Sequence, residues 1–219
     1  MITFDDIKNN TAIRTYIEEA DKSLIALGFT EHSFAHVTRV ASTAQYILRT
    51  LDYSEREIEL AKIAAYLHDV GNLVNRIEHS QSGAIIAFRI LDSLGMPPEE
   101  TAVIVTAIGN HDEGTGVAVN PIAAALILGD KTDVRRSRVR NTDATTFDIH
   151  DRVNYSVRSS EIGISEDKKT LKLTLDIDTK YCSIMDYFEI FLDRMILCRK
   201  AAQKLGIAFT LEINGQQVI

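Results

Sequence analysis

The chain has 219 residues and a formal net charge of −7, and hydrophobic residues make up 45% of it. This length provides one sizeable core, or a main domain with a small appendage. The acidic balance disfavours nucleic acid polymers and anionic membrane surfaces, so a phosphorylated ligand needs local basic groups or metal ions. Two cysteines without CxxC spacing, a polar N-terminus and short apolar runs predict a cytoplasmic protein with reduced thiols.

Helical signals dominate residues 1 to 142. The sequence predicts an initial helix over about residues 4–27, followed by a helix in HVTRVASTAQYILRTL, where apolar residues recur three and four positions apart. Ser54 and Glu57 have capping-box spacing and begin a third helix, predicted to end at Gly71. The next predicted helices are HSQSGAIIAFRILDSLG, EETAVIVTAIGNH and the segment that begins at Asn120 and Pro121.

The periodicity changes after residue 142. RVNYSV and TLKLTLDID alternate apolar and polar residues, which predicts strands with one buried face. A helix is predicted from about Ser183 to Leu205, ended by Gly206, before a last strand with an Asn-Gly turn. The expected fold is mainly α, with a helical domain over residues 1–142 and a small α+β extension over residues 143–219.

The predicted C-terminal helix is apolar around much of its circumference. A face this wide must pack on the strands and on a further surface. That surface is either the helical domain or a second copy of the chain in a homodimer, and the sequence leaves both open.

Histidines and aspartates recur on different predicted helices or at their ends. They are His36, the adjacent pair His68–Asp69, His79, His111 and Asp130. A helical bundle can direct such side chains to one cavity, and mixed imidazole and carboxylate ligands suit divalent transition metals such as Fe, Mn, Co, Ni or Zn. Taken singly, each residue is more often a cap or a surface group, so the spacing alone does not decide for a metal site.

In order and context, this set resembles the signature of the HD-domain metal-dependent phosphohydrolases, helical proteins named for the adjacent pair. EHSQSGAIIA and NHDEGTG, at His79 and His111, resemble the additional ligands of the dinuclear branch. The match covers about residues 30–140. It is most similar to the bacterial HD hydrolases that split diadenosine tetraphosphate symmetrically, where an acid and an arginine follow the last aspartate as Asp133 and Arg136 follow Asp130 here.

The resemblance implies that the chain binds one or two divalent metal ions and hydrolyses a nucleotide or other small phosphoester. Asp69 is the implied catalytic carboxylate, because it would be shared by both ions. The first ion would add His36, His68 and Asp130, and the second would add His79 and His111. A metal-bound hydroxide is the implied nucleophile, since the charge of the ions lowers the pKa of bound water.

Neighbouring residues are predicted to contact the substrate or to orient the ligands. The candidates for substrate contact are Arg135, Arg136, Asn72 and Gly114. The arginines belong to a basic run after Asp130, which is either a phosphate contact or a solvated helix end. Asp133 is expected to orient a metal ligand, and Asp112 is expected either to assist near His111 or to act as a surface cap.

Two other functions stay open at this point. Some dinuclear HD proteins are diiron oxygenases, and iron content and oxygen consumption would separate that reaction from hydrolysis. The chain could also be a non-catalytic regulatory protein that binds metal or nucleotide, because Asn72 stands where many relatives have a lysine. The HD pair is not followed by GYP, which counts against the cyclic-dinucleotide phosphodiesterases.

Overall fold

The computed structural model describes residues 1–219, which form a helical bundle followed by a small sheet. The helices are Phe4–Lys8 (α1), Thr11–Ala26 (α2), Phe34–Thr50 (α3), Glu55–Leu67 (α4), His79–Ser93 (α5), Pro98–Gly109 (α6), Pro121–Lys131 (α7), Ile149–Ser156 (α8) and Ile184–Lys204 (α9). The strands are Val157–Ile164 (β1), Thr170–Ile177 (β2), Ala208–Ile213 (β3) and Gln216–Gln217 (β4). The predicted mainly α fold with a small α+β extension is confirmed.

The single initial helix predicted over residues 4–27 is wrong, because two asparagines divide it. Asn9 ends α1, and the side chain of Asn10 accepts a hydrogen bond from the backbone N–H of Ile13 at the start of α2. An N-cap of this kind satisfies an amide that a new helix leaves without a partner. The chain therefore begins a second helix here.

Helix α7 lies at the centre of the bundle. It packs against α3, α4, α6 and α9, and every residue from Ile122 to Lys131 is buried. Its predicted start is confirmed, since the Asn120 side chain caps it and Pro121 occupies the first turn. The capping box of Ser54 and Glu57 at the start of α4 is also confirmed.

The helix predicted to end at Gly71 ends earlier. Helix α4 stops at Leu67, and His68 and Asp69 lead into a 3₁₀ turn over Val70–Leu73. Gly71 permits this path because a Cβ atom there would lie 1.9 Å from the backbone carbonyl oxygen of His79. The turn after the HD pair therefore contacts the first turn of α5 directly.

The strand predicted from RVNYSV is wrong over most of its length, because Ile149–Ser156 forms α8. Asp148 caps this helix by accepting from the backbone N–H of Asp151, a local signal that outweighs the weak alternation. The strand begins only at Val157. The predicted TLKLTLDID strand is confirmed as β2, which pairs antiparallel with β1 and parallel with β3.

Helix α9 connects β2 to β3, as expected for neighbouring parallel strands. Ser183 caps it, and Gly206 follows it in the left-handed region with φ of 78°. Its apolar face packs against α7, α8 and β3 in one core shared with the bundle, so the helical domain covers part of that face. The homodimer and the division at residue 142 stay predictions. None of the helices combines the length and the apolar character needed to span a bilayer.

Candidate metal centre

The structure brings the six predicted metal ligands together in one buried cluster. They are contributed by five positions in the bundle: His36 on α3, His68 and Asp69 after α4, His79 at the start of α5, His111 after α6, and Asp130 on α7. In two trios, His36–His68–Asp130 and His68–Asp69–His111, the donor atoms all lie within 4.8 Å of one another. The ordered sequence set is therefore also a spatial set.

Asp69 lies in the middle of this cluster. Its Oδ2 atom is 3.3 Å from His68 Nε2 and 3.6 Å from His36 Nε2. Its Oδ1 atom is 3.5 Å from His79 Nε2. Asp130 Oδ1 completes the first side, 3.3 Å from His36 Nε2. The two oxygens of Asp69 thus face different histidines, as a carboxylate shared by two ions must do.

Hydrogen bonds that Nδ1 donates orient the imidazole rings. In His68, His79 and His111, Nδ1 lies between 2.6 and 3.1 Å from a backbone carbonyl oxygen. A carbonyl oxygen can only accept, so Nδ1 carries the proton and Nε2 of the neutral ring presents a lone pair. When these rings are neutral, their Nε2 atoms therefore offer lone pairs for a cation.

Several of these lone pairs face no hydrogen-bond donor. Nε2 of His79 and Nε2 of His111 are only 3.2 Å apart. His36 Nε2, His68 Nε2 and Asp69 Oδ2 are buried and make no hydrogen bond. Buried acceptors without donors are costly, and a divalent ion bound by nitrogen and oxygen would satisfy them together. The residues present fit a metal centre.

The charge balance of the cluster also favours a cation. Burial disfavours an imidazolium, but the negative charges of Asp69 and Asp130 outweigh it and raise the pKa of His68 to about 10. Burial and the nearby His68 and Lys131 hold the pKa of His111 well below its usual range. One histidine thus attracts a positive charge and another stays a neutral ligand, and metal binding would replace the proton on the first.

Comparison with known proteins agrees with this geometry. The family described as HD domain matches residues 33–155, more than half of the chain. The chain belongs to the HD domain family. HD proteins are generally metal-dependent hydrolases, and the matched segment contains all six residues of the cluster, hereafter the HD centre.

One relative of this HD chain is an uncharacterized protein of Methanocaldococcus jannaschii. It is 24% identical, and the alignment covers 75% of this chain and 72% of the relative. This relative has no stated activity, so the similarity does not indicate a substrate. The resemblance to diadenosine tetraphosphate hydrolases stays a prediction.

Two polar residues next to the HD centre form hydrogen bonds with its proposed ligands. Asp133 accepts a hydrogen bond from His36 Nδ1 at 2.8 Å, which is the orienting contact expected for it. Asn72 donates to the backbone oxygen of Asp69 at 2.9 Å and to Oδ1 at 3.1 Å. Asn72 was a candidate for substrate contact, but it is buried behind Asp69, and its position suits an orienting role.

The two arginines predicted to contact phosphate do not pair with any of the six ligands of the HD centre. Arg135 pairs with Asp133 and with Glu31, at 2.9 and 3.0 Å. Arg136 donates to the backbone oxygen of Tyr155 at 2.6 Å and lies 4.4 Å from the centroid of its ring. After the end of α7 the chain turns towards α8, where Arg136 contacts Tyr155, while Arg135 lies against Asp133. The phosphate contact of both residues stays a prediction, and these contacts do not support it.

Asp112 and Gly114 lie at the outer edge of the HD centre. Asp112 Oδ1 is 4.0 Å from His79 Nε2, and 32% of the Asp112 side chain is exposed. Gly114 follows in an exposed turn, where a Cβ atom would lie 3.8 Å from Asp112 Oδ2. Both residues therefore lie at the solvent-exposed edge of the HD centre, and their roles stay predictions.

A chain of ion pairs that was not predicted from the sequence ends at the HD centre. Lys131 Nζ lies 2.8 Å from Asp130 Oδ2 and 2.5 Å from Glu113 Oε2, and Arg194 on α9 pairs with the other oxygen of Glu113. Burial disfavours the charge on Lys131, but Asp130 and Glu113 outweigh it and raise its pKa. A buried lysine at the end of a largely apolar helix requires a partner, whereas no local sequence pattern points to Glu113 or Arg194.

A cavity of about 210 Å³ lies beside the HD centre. Its walls include arginine side chains that were not predicted as site residues from the sequence. Arg76 and Arg194 line it, together with His32 and Phe191. Arg76 Nη1 is 4.0 Å from Asp69 Oδ1, and both arginines are partly exposed. Positive charge is thus available near the ligands, although it comes from the turn before α5 and from α9.

Proposed function

We propose that this HD protein is a metal-dependent phosphohydrolase that acts on a nucleotide or other small phosphoester. The observation that carries the proposal is the convergence of four imidazole Nε2 atoms and two carboxylates, three of whose atoms are buried without a hydrogen-bond donor. Divalent ions bound there would supply a water of lowered pKa as the nucleophile and would neutralise negative charge on the phosphoryl group.

The surrounding residues would keep this ligand set in place. Asp69 offers its two oxygens to different histidines, and Asn72 holds that carboxylate by hydrogen bonds to Oδ1 and to the backbone. Asp133 fixes the ring of His36 through Nδ1. Ligands held by a second set of hydrogen bonds bind metal more tightly and with a defined geometry.

Arg76 and Arg194 are the proposed phosphate contacts, because they line the cavity next to the ligands. A guanidinium group pairs well with phosphate oxygens. The cavity of about 210 Å³ is smaller than the roughly 300–1,000 Å³ of most small-molecule sites, which favours a small phosphoester over a dinucleoside tetraphosphate.

Metal analysis of protein purified without chelator tests the ligand set. We expect close to two divalent ions per chain in the wild type and about one fewer in His79→Ala and in His111→Ala. His150→Ala is the matched control for metal content, since His150 is exposed on α8 and is not part of the cluster. An unchanged metal content in both cluster variants would refute the second ion.

A screen with phosphomonoesters and phosphodiesters in the presence of Mn²⁺ tests the reaction. Phosphate release by the wild type, with a higher KM in Arg76→Ala and Arg194→Ala and a similar kcat, would agree with the proposed phosphate contacts. Two irons per chain with oxygen consumption and no hydrolysis would overturn the reaction and favour the HD oxygenases. Metal binding without any turnover would favour a regulatory protein.

A further inference from the structure

A second groove, distinct from the HD centre, concentrates arginines on the surface. It has a volume of about 470 Å³, and none of the residues that line it is apolar. Arg39 on α3, Arg135 and Arg136 after α7, and Arg158 on β1 line it, and we call it the arginine groove. None of the six proposed metal ligands borders it. The basic run that the HD centre leaves unused therefore contributes to another surface.

The guanidinium groups of this groove share some of their carboxylate partners. Asp133 pairs with both Arg39 and Arg135, at 3.0 and 2.9 Å, and it also accepts from His36. Arg39 therefore has only a share of one carboxylate. Arg135 has Glu31 as a second carboxylate partner.

At the other end of the groove, Asp178 is shared between two arginines. Asp178 lies 2.9 Å from Arg158 and 3.7 Å from Arg136, and Asp176 is a more distant partner of Arg158 at 3.8 Å. Nη2 of Arg136 is buried and has no hydrogen-bond partner. Glu161 is the one acidic residue of the lining. The lining therefore contains four arginines and one acidic residue, although the chain as a whole carries a charge of −7.

Three of these arginine side chains are partly exposed to solvent. The side chains of Arg39, Arg136 and Arg158 are 49%, 37% and 52% exposed. A neighbouring cavity of about 420 Å³ shares Arg39 with the groove and adds the hydroxyl groups of Thr43 and Tyr46. If the arginines bind the charged group of an anion, the neighbouring cavity therefore has room for the polar remainder of the same molecule.

We propose that the arginine groove is a binding site for a small phosphorylated anion, separate from the HD centre. Planar guanidinium groups pair with phosphate oxygens through two parallel hydrogen bonds, and several of them around one groove favour a ligand with more than one negative charge. Asp133 pairs with Arg39 of this groove and accepts the hydrogen bond that orients His36, so the site lies directly behind a proposed metal ligand.

Calorimetric titration of the full-length protein with inorganic tripolyphosphate, at fixed ionic strength, tests this site. We expect Arg158→Ala and Arg39→Ala each to weaken binding about tenfold, because a hydrogen bond to a charged group is lost in each. Arg49→Ala is the matched control: Arg49 also lies on α3, is 53% exposed and pairs with Glu55 at 2.8 Å, but it is outside the groove. Its affinity should equal that of the wild type.

Two outcomes would overturn the site. Equal affinities in the wild type, Arg158→Ala and Arg39→Ala would show that the arginines do not bind the anion. Binding that is lost in His111→Ala but retained in Arg158→Ala would place the anion at the HD centre, which would leave the proposed hydrolase intact and remove the groove. Arg158 is half exposed on an edge strand, so its replacement should not prevent folding, and circular dichroism checks this.

Discussion

Replacing Gly71 by alanine should damage the fold and the HD centre together. The added Cβ would lie 1.9 Å from the carbonyl oxygen of His79, more than 1 Å inside the 3.0 Å limit of real Cβ contacts, and 2.5 Å from the backbone nitrogen of Gly83. Both obstacles are backbone atoms, so no side-chain rotation relieves the clash. The first turn of α5 must move away from the turn that carries Asp69.

Overpacking of this kind costs about 1–3 kcal/mol, and backbone obstacles place Gly71→Ala at about 3 kcal/mol or more in the free energy of unfolding. The displacement should also separate His79 Nε2 from Asp69 Oδ1, so metal content should fall. Urea denaturation and metal analysis measure the two effects. Gly163→Ala is the control, because a Cβ there meets nothing within 4 Å. A Gly71→Ala protein as stable and as metal-rich as that control would refute the reasoning.

Three further changes test other contacts. Asp133→Asn removes the charge on the acceptor of the His36 imidazole, so metal affinity measured against a competing chelator should fall about 10- to 100-fold; an unchanged affinity would contradict this. Lys131→Met leaves the buried carboxylate of Asp130 without its cation and should lower the free energy of unfolding in urea by about 3–5 kcal/mol, whereas a loss below about 1 kcal/mol would argue against it. Burial raises the pKa of the Cys198 thiol to about 12, so iodoacetamide should modify it only after unfolding, and rapid reaction of the folded protein would be the contrary result.

The sequence predicted the helices best where a cap and a periodic apolar face agree. Ser54 and Asn120 begin their helices as expected, because capping is a local property of the chain. Asn10 is also a local signal, and the error there came from reading periodicity across it. In the same way Asp148 caps a helix where a short alternation of apolar residues suggested a strand.

The cluster of ligands was predictable by residue type and order, but its surroundings were not. Burial beside apolar helices requires a partner for each histidine and aspartate, which a metal ion would provide. The direction of Arg136 depends on how the chain turns after α7, and the contact of Glu113 with Arg194 joins the loop after α6 to α9. Such long-range contacts leave no period or spacing in the sequence.

The hydrogen bond between His36 and Asp133 joins residues 97 positions apart. Closing a loop of this length costs conformational entropy before the contacts between its ends have formed. The ligands from α3 and α7 should therefore meet late in folding. A metal ion that needs both helices would then leave the folding rate nearly unchanged. It would have to dissociate before these helices separate, and its main effect would be to lengthen the lifetime of the native state.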